Sequence, residues 1–458
     1  MFKPIVSGYV VLVSALMLAS PIAHALELTV QAGYEAEYSD NIHDTPNNED
    51  GAWIQTPQVA LMANEDGPSV SALVDYNFSR QVYTDNSFSN RSVAEGTARL
   101  DWRAIADRLS FELSNTSTQN TIDSRGATIP TNEQVQNTTI AGTTLTMDSF
   151  SNHKIDLHYD YEIDTAQETD TDSHRNNVRL SYIVPLSLQR RIQLNGEFSH
   201  VNFDSSQWND YDRKGANLQF ANEGDTFEID TKAGYTILDQ EGPAKDVEGT
   251  TGNFRIAYHA SDTTILSASY ARAIEDQTTN NAAGIPALGE TFTDNSGVAT
   301  PYTLDSYRAG VTTQFAHNQF DLSGFYEDQN YDYGGQIPGP TTFQPNQKTR
   351  GVDFGVTRAI RPTITGYMYG EYSKVDYEFG TPDQDTYRAG LRLDWNRWRK
   401  LSLWFGVDYT KRTSDLSTSE YTEWREYVTL WYTLVGTTPR NRGAPTGGNR
   451  SGASRGSY

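Results

Sequence analysis

The sequence predicts an all-β fold: a transmembrane antiparallel up-and-down β-barrel of about twenty strands (roughly 18 to 22), with short periplasmic turns and long extracellular loops. Three observations carry this. Apolar and polar residues alternate with a period of two along most of the chain. The connectors between alternating segments are short and long by turns. Past residue 25, no stretch approaches the ~18 consecutive apolar residues of a membrane helix. Only 36% of the residues are hydrophobic and the mean hydropathy is −0.62. A barrel with a wet interior reconciles such polarity with a membrane, because only its outer face must be apolar.

Residues 1–25 read as a secretory signal peptide. Lys3 supplies the positive charge, Ile5 to Ala19 the short apolar core, and Ala23-His24-Ala25 the cleavage pattern. The barrel is assigned to 26–434. Its first strand alternates Leu28, Val30, Ala32, Tyr34, Ala36 and Tyr38 with Thr29, Gln31, Gly33, Glu35 and Glu37. The pattern recurs in Val70 to Phe78, Ala94 to Trp102, Ile155 to Ile163, Val178 to Val184, Phe254 to Tyr258, Tyr307 to Phe315, Tyr387 to Trp395 and Leu401 to Tyr409.

Short turns are placed at Asn64 to Pro68, Ile105 to Arg108, Asp148 to Ser151, Asn222 to Asp225, Ser261 to Thr263, Ala316 to Asn318, Arg361-Pro362 and Asn396 to Lys400. Between them fall the polar loops Ser39 to Gly51, Gln119 to Val135, Asp164 to Ser173, Asp204 to Asp212, Asp276 to Tyr302, Gln329 to Gln347 and Asp376 to Gln384. A secreted sandwich gives no reason for such alternation, and a β-helix would show a fixed repeat. Tyr38, Tyr83, Trp102, Tyr270, Trp395 and Tyr409 fall near strand ends, where two aromatic girdles are expected. Residues 435–458, rich in Gly, Ser and Arg, form an expected disordered periplasmic tail.

If the apolar positions face lipid, the residues between them face the lumen. Outgoing strands then carry mainly acids, among them Asp156, Asp160 and Asp408. Returning strands carry arginines: Arg99, Arg103, Arg175, Arg179, Arg255, Arg308, Arg388 and Arg392. Neighbouring strands would thus set opposite charges side by side, an arrangement worth roughly 0.2–1 kcal/mol per pair. Such a lattice can stiffen a wet wall, offer donors and acceptors to a hydroxyl-rich or charged polymer, or both. The two longest loops are the candidates for folding inward, with Tyr331 and Tyr333 as constriction or sugar-contact residues.

The chain has no cysteine, which removes disulfides and thiolate chemistry. A net charge of −23 argues against nucleic acid as a partner. The histidines are scattered, and His158 beside Asp156 and Asp160 is read as ordinary lumen polarity. No nucleophile elbow, phosphate loop or metal motif is present, so no enzyme, metal or cofactor is expected. The acidic loops are read as hydrated surface.

Directly after the first strand, Tyr38-Ser39-Asp40-Asn41-Ile42 resembles the Tyr-x-Asp-Asn-Ile pattern of the putative beta-barrel porin family associated with exopolysaccharide gene clusters of Gram-negative bacteria. Thr56-Pro57 and the Glu65-Asp66-Gly67-Pro68 turn extend the resemblance, as do length and layout. It implies an outer-membrane channel exporting a polysaccharide. Expected partners are outer-membrane lipid and lipopolysaccharide, the barrel assembly machinery, a polysaccharide and periplasmic export components. A general diffusion porin for small hydrophilic solutes, or an adhesive barrel with a plugged lumen, stays open as an alternative. The lack of a plug-sized domain before the barrel disfavours a TonB-dependent transporter.

Overall fold

The computed structural model describes residues 26–436, apart from 47–49, 86, 124–125, 207, 242–245, 276–300, 332–345, 379–381 and 416–419. The first ten strands are β1 (Glu27–Ser39), β2 (Ala52–Asp66), β3 (Val70–Tyr83), β4 (Arg91–Ile105), β5 (Leu109–Thr121), β6 (Glu133–Asp148), β7 (Lys154–Ala166), β8 (Ser173–Pro185), β9 (Arg190–Phe203) and β10 (Tyr211–Glu223). Then follow β11 (Phe227–Gln240), β12 (Val247–Ser261), β13 (Thr264–Glu275), β14 (Tyr302–Phe315) and β15 (Asn318–Tyr331). The last five are β16 (Gln347–Arg361), β17 (Ile364–Tyr377), β18 (Gln384–Trp395), β19 (Leu401–Ser414) and β20 (Tyr421–Val435). Each strand pairs antiparallel with its neighbours in sequence, and β1 pairs with β20 from Ser39↔Arg425 to Val30↔Val435. Closure leaves no free sheet edge. The signal segment and the tail beyond Gly436 lie outside the described residues.

Connector lengths alternate strictly, so one rim carries tight turns and the other the loops. Glycine closes two of the turns: the Gly67 N–H donates to the Val70 carbonyl and the Gly224 N–H to that of Phe227. Asp107 (φ 57°) and Asn152 (φ 71°) take left-handed positions in two others, as short polar side chains can. The strands run further than the alternation suggested. Gln119, Asn120 and Thr121 belong to β5, Tyr302 opens β14, and Gln329 to Tyr331 end β15.

The outer face is apolar and exposed, with Tyr34, Trp53, Leu157, Leu194, Leu218, Leu322 and Leu391 among its residues. Its aromatics form cross-strand pairs in two belts. Toward the loops lie Tyr38–Trp53, Tyr270–Tyr307, Tyr372–Tyr387 and Tyr409–Trp424, with ring centroids 4.7–5.3 Å apart. Toward the turns lie Trp102–Phe111 and Phe227–Tyr258. Tyr83 is a correction. It is buried, packs with Ile42, Ala52 and Ile54, and shares the opposite face from the girdle residues. Proximity to a strand end does not reveal side; the pleat does.

One contact shows which face is interior. Arg412 Nη1 on β19 donates to the carbonyl of Gly126, in the loop joining β5 to β6. Strands β20, β1, β2, β3 and β4 stand between these elements along the wall, so the contact is made through the lumen. Following the register from Arg412 around the barrel gives Tyr421, Ser39, Ala52, Tyr83, Arg99, Glu162, Arg175 and Arg255 on the same face. It continues through Arg308, Asp353 and Arg388 back to Thr410 on β19, two residues from its origin.

Candidate functional site

Alternation delivers a continuous interior wall, and its two sectors differ. From β17 through β20 to β3 the wall is packed. Asp394 and Thr429 are 0% exposed, Trp431 1% and Trp404 2%, with Ala60 sealed against the two indoles. The Trp431 ring fits because its neighbour is Gly33, where a Cβ would stand 2.6 Å from the indole. Across β4 to β16 Glu162, Asp164 and Arg175 are buried, but other interior charges are wetter. Arg99 is 55% exposed and holds Asp101 (2.8 Å) and Glu112 (3.4 Å). Further along, Lys232 pairs with Glu197 (3.6 Å) and His259 with Glu228 (3.0 Å).

The eleven charged residues singled out from the sequence all fall on the interior face, but their partners are only partly those of a cross-strand lattice. Arg388 meets Glu371 (3.7 Å) and Arg175 meets Glu162 (3.9 Å) across neighbouring strands. Arg179 stands opposite His158 and Glu197 in the register, and Arg255 opposite Asp230. Arg99 and Arg392 instead bond an aspartate two residues along their own strand, Asp101 and Asp394, both on returning strands. Arg392 also lies over the Tyr367 ring (4.3 Å) and near that of Trp404 (5.3 Å). Arg308 reaches past β15 to Asp353 (3.4 Å), and Arg103 donates to the Pro68 carbonyl at the turn rim.

Among the acids, Asp160 bonds His158 Nε2 (2.9 Å) and accepts from Asn177 Nδ2 (2.6 Å). Asp408 accepts from the Tyr369 hydroxyl (2.8 Å), and Asp156 shares its strand face with His158. Tyr331 is a correction. It is the last residue of β15 rather than a residue of the loop; it is buried against Tyr302 and Leu304, and its hydroxyl accepts from Gln329 Nε2 (2.8 Å). Period two simply continues through Gln329 and Tyr331. Tyr333 and most of the two longest loops lie outside the described residues.

Among the described loop residues that turn into the lumen are those of the first loop (40–46, 50–51) and the third (122–123, 126–132). The first is turned inward by the motif after β1. Ser39 Oγ donates to Glu423 Oε1 (2.7 Å), and the Asn41 N–H donates to Ser39 Oγ (3.2 Å). Asp40 grips the Trp424 backbone through both its N–H and its carboxylate. Asn41 Nδ2 donates to the carbonyls of Thr45 (2.8 Å) and Thr422 (3.0 Å) while its Oδ1 accepts the Thr45 N–H (3.1 Å). Ile42, 2% exposed, anchors the turn among Ala52, Ile54 and Tyr83, with Phe88 beside them. That apolar residue in a polar loop was the signal for an inward turn.

Asp44 is thereby placed, in a left-handed backbone conformation (φ 51°), against the inner ends of β18, β19 and β20. Both its carboxylate oxygens are buried and neither closes a hydrogen bond of full geometry. Burial first, and Glu423 second, push its pKa up to about 7 against the lowering pull of Arg425, Arg412 and the Thr128 backbone N–H. The third loop reaches the same place from between β5 and β6. Asn132 cross-braces it through the carbonyls of Asp123 (2.7 Å) and Ala127 (2.8 Å), and Arg412, stacked over Tyr421 at 5.4 Å, holds Gly126.

Residues 344–433, nearly all of β16 to β20, match the family model described as "Putative beta-barrel porin 2", the family that the first-loop motif resembles. No curated protein matches the sequence. Among solved structures, the FrpB iron transporter from Neisseria meningitidis (F5-1 variant) is similar at 10% identity and a TM-score of 0.50, covering 92% of this chain and 84% of that one. The siderophore receptor PirA from Pseudomonas aeruginosa is similar at 12% identity and a TM-score of 0.42, covering 88% and 80%. The likeness to FrpB is one of fold.

Proposed function

We propose, for a porin-like outer-membrane β-barrel matching the beta-barrel porin family over 344–433, that the chain is a passive channel, with an exported exopolysaccharide as its cargo. The observation that carries this is the wet interior sector, where Arg99, Asp101 and Glu112 are solvated rather than packed. A side chain that has kept its water can exchange it for a solute hydroxyl at little cost, which a sealed wall cannot do. A strip of alternating cationic and anionic groups suits a hydroxyl-rich chain, because each hydroxyl can both donate and accept. Twenty strands exceed the number at which wall side chains alone fill a barrel.

Transport rather than catalysis is the role this wall supports. His158, its best candidate acid–base group, has one ring nitrogen on Asp160 and the other on Thr144 (2.8 Å), contacts that tie β6 and β7 together. Outer-membrane lipid, lipopolysaccharide and the assembly machinery are proposed partners on the ground of the apolar outer face and aromatic belts. The tests are single-channel conductance of the purified protein in planar bilayers and deletion in the host. Conductance together with loss of surface polymer supports export. Conductance with normal secretion and altered solute uptake favours a diffusion porin. A silent barrel favours the adhesive reading.

A further inference from the structure

We propose that the described parts of the first and third loops form a lid inside the lumen that closes on acidification, with Asp44 sensing the proton and Arg412 as the post on which both loops rest. This rests on the channel reading. The geometry comes first. The first loop leaves the wall beside β20 and the third leaves it four strands further round; both reach the inner ends of β19 and β20, where Arg412 binds the third through Gly126 and faces Asp44 of the first. Arg412 is 7% exposed, and its Nε donor, like both Asp44 oxygens, is buried without a hydrogen-bond partner. The third loop is thus bonded to Arg412, whereas Asp44 of the first is held beside it by burial and charge without a closed hydrogen bond, as befits a contact that opens.

The groups around Asp44 are its loop neighbours Asp40 and His43, Arg388 on β18, Arg412 on β19, and Tyr421, Glu423 and Arg425 on β20. The third loop contributes its backbone at Thr128. His43, next to Asp44 in the loop, packs its ring at a tilt against Phe88 (4.9 Å). The sign follows from linkage. A free loop holds Asp44 at an ordinary carboxylate pKa of about 3.9, whereas the docked loop holds it at about 7. Docking thus takes up a proton. It is strongest below pH ~4, weakens by up to about tenfold per pH unit between ~4 and ~7, and is constant above that. The lumen is more open at pH 8 than at pH 5.

The test is the open fraction of full-length protein in planar bilayers at pH 5 and pH 8. Wild type should be at least tenfold more open at pH 8. Asp44→Asn, permanently neutral, should stay largely closed at both, and His43→Gln should behave as wild type. A pH-independent wild type, opening on acidification, or a response that survives Asp44→Asn would overturn the lid while leaving the channel intact. A second readout needs no current. The chain lacks cysteine, so an environment-sensitive dye on Pro46→Cys reports the first loop alone. Its emission should shift to the blue at pH 5 in wild type and not in Asp44→Asn. Protein silent at every pH, even with residues 41–50 replaced by a short glycine–serine turn, refutes the channel; a dye signal that does not move with pH refutes the lid.

Discussion

The Asp40 carboxylate accepts the backbone N–H of Trp424 at 2.7 Å while the Asp40 N–H donates to the Trp424 carbonyl at 3.1 Å. The first residue beyond β1 thus continues the ladder that joins the chain's two ends. Asp40→Ala leaves the Trp424 N–H with only water, and should cost about 1–2 kcal/mol, read as a lower urea midpoint of the folded barrel. Asp40→Asn, which keeps an acceptor, should recover most of the loss. Equal midpoints for alanine and wild type would show that the seam does not depend on this pair.

Gly33 lies beneath the Trp431 indole, with a prospective Cβ only 2.6 Å from the ring and 2.9 Å from Gln58 Cγ. Gly33→Leu forces that ring out of a sealed sector and should destabilise by about 1–3 kcal/mol. Pairing it with Trp431→Ala should give less than the sum of the single losses, because the collision disappears with the ring. Strict additivity in the double-mutant cycle would place the strain elsewhere.

The barrel was legible because period two and connector length are local properties. Leu28 to Tyr38 announces a face without any tertiary knowledge, and the twenty strands carry that pattern. The interior was less legible. That Trp404 and Trp431 point inward follows from their parity with Asp408 and Thr429, but parity alone does not say that the two indoles pack together. Nothing in Gly33 alone says that a ring lies on it. Pairings such as Arg99 with Asp101 were missed because a two-residue spacing on one strand is as close as a neighbour across the ladder. Tyr331 was read as a loop residue because aspartate, tyrosine and glycine follow it closely, though the alternation through Gln329 already extended the strand. The inward turn of the first loop had one signal, Ile42, and its arrival beside Arg412 depends on β18 to β20, nearly four hundred residues later in the chain.

The two sectors should respond differently to charge reversal. Arg99 is solvated, so Arg99→Glu should leave folding intact and move the reversal potential in a salt gradient toward greater cation selectivity. Arg392 is 8% exposed and bonded to Asp394, so Arg392→Glu sets two carboxylates together in a sealed wall. Breaking such a pair costs about 3–5 kcal/mol, which should appear as loss of folded barrel in a gel-shift assay rather than as altered selectivity. If Arg392→Glu folds normally and shifts selectivity while Arg99→Glu does not, the wet and packed sectors have been assigned the wrong way round.

Asp44 also makes stability depend on pH, independently of any current. Its pKa is raised on folding to about 7, so the folded chain binds this proton more tightly than the unfolded one. The stability tied to it is fully present below pH ~4, falls as pH rises toward 7, and is flat and lowest above that. Asp44→Asn cannot ionise. Its urea midpoint should therefore match or trail wild type at pH 4 and exceed it at pH 8, by an amount of order a few kcal/mol if the first loop stays docked until the barrel unfolds. Loop release ahead of global unfolding would shrink the gap without changing its sign. Parallel midpoint curves from pH 4 to pH 8, in which the two proteins differ by a constant, would show that Asp44 is not buried as the folded loop places it.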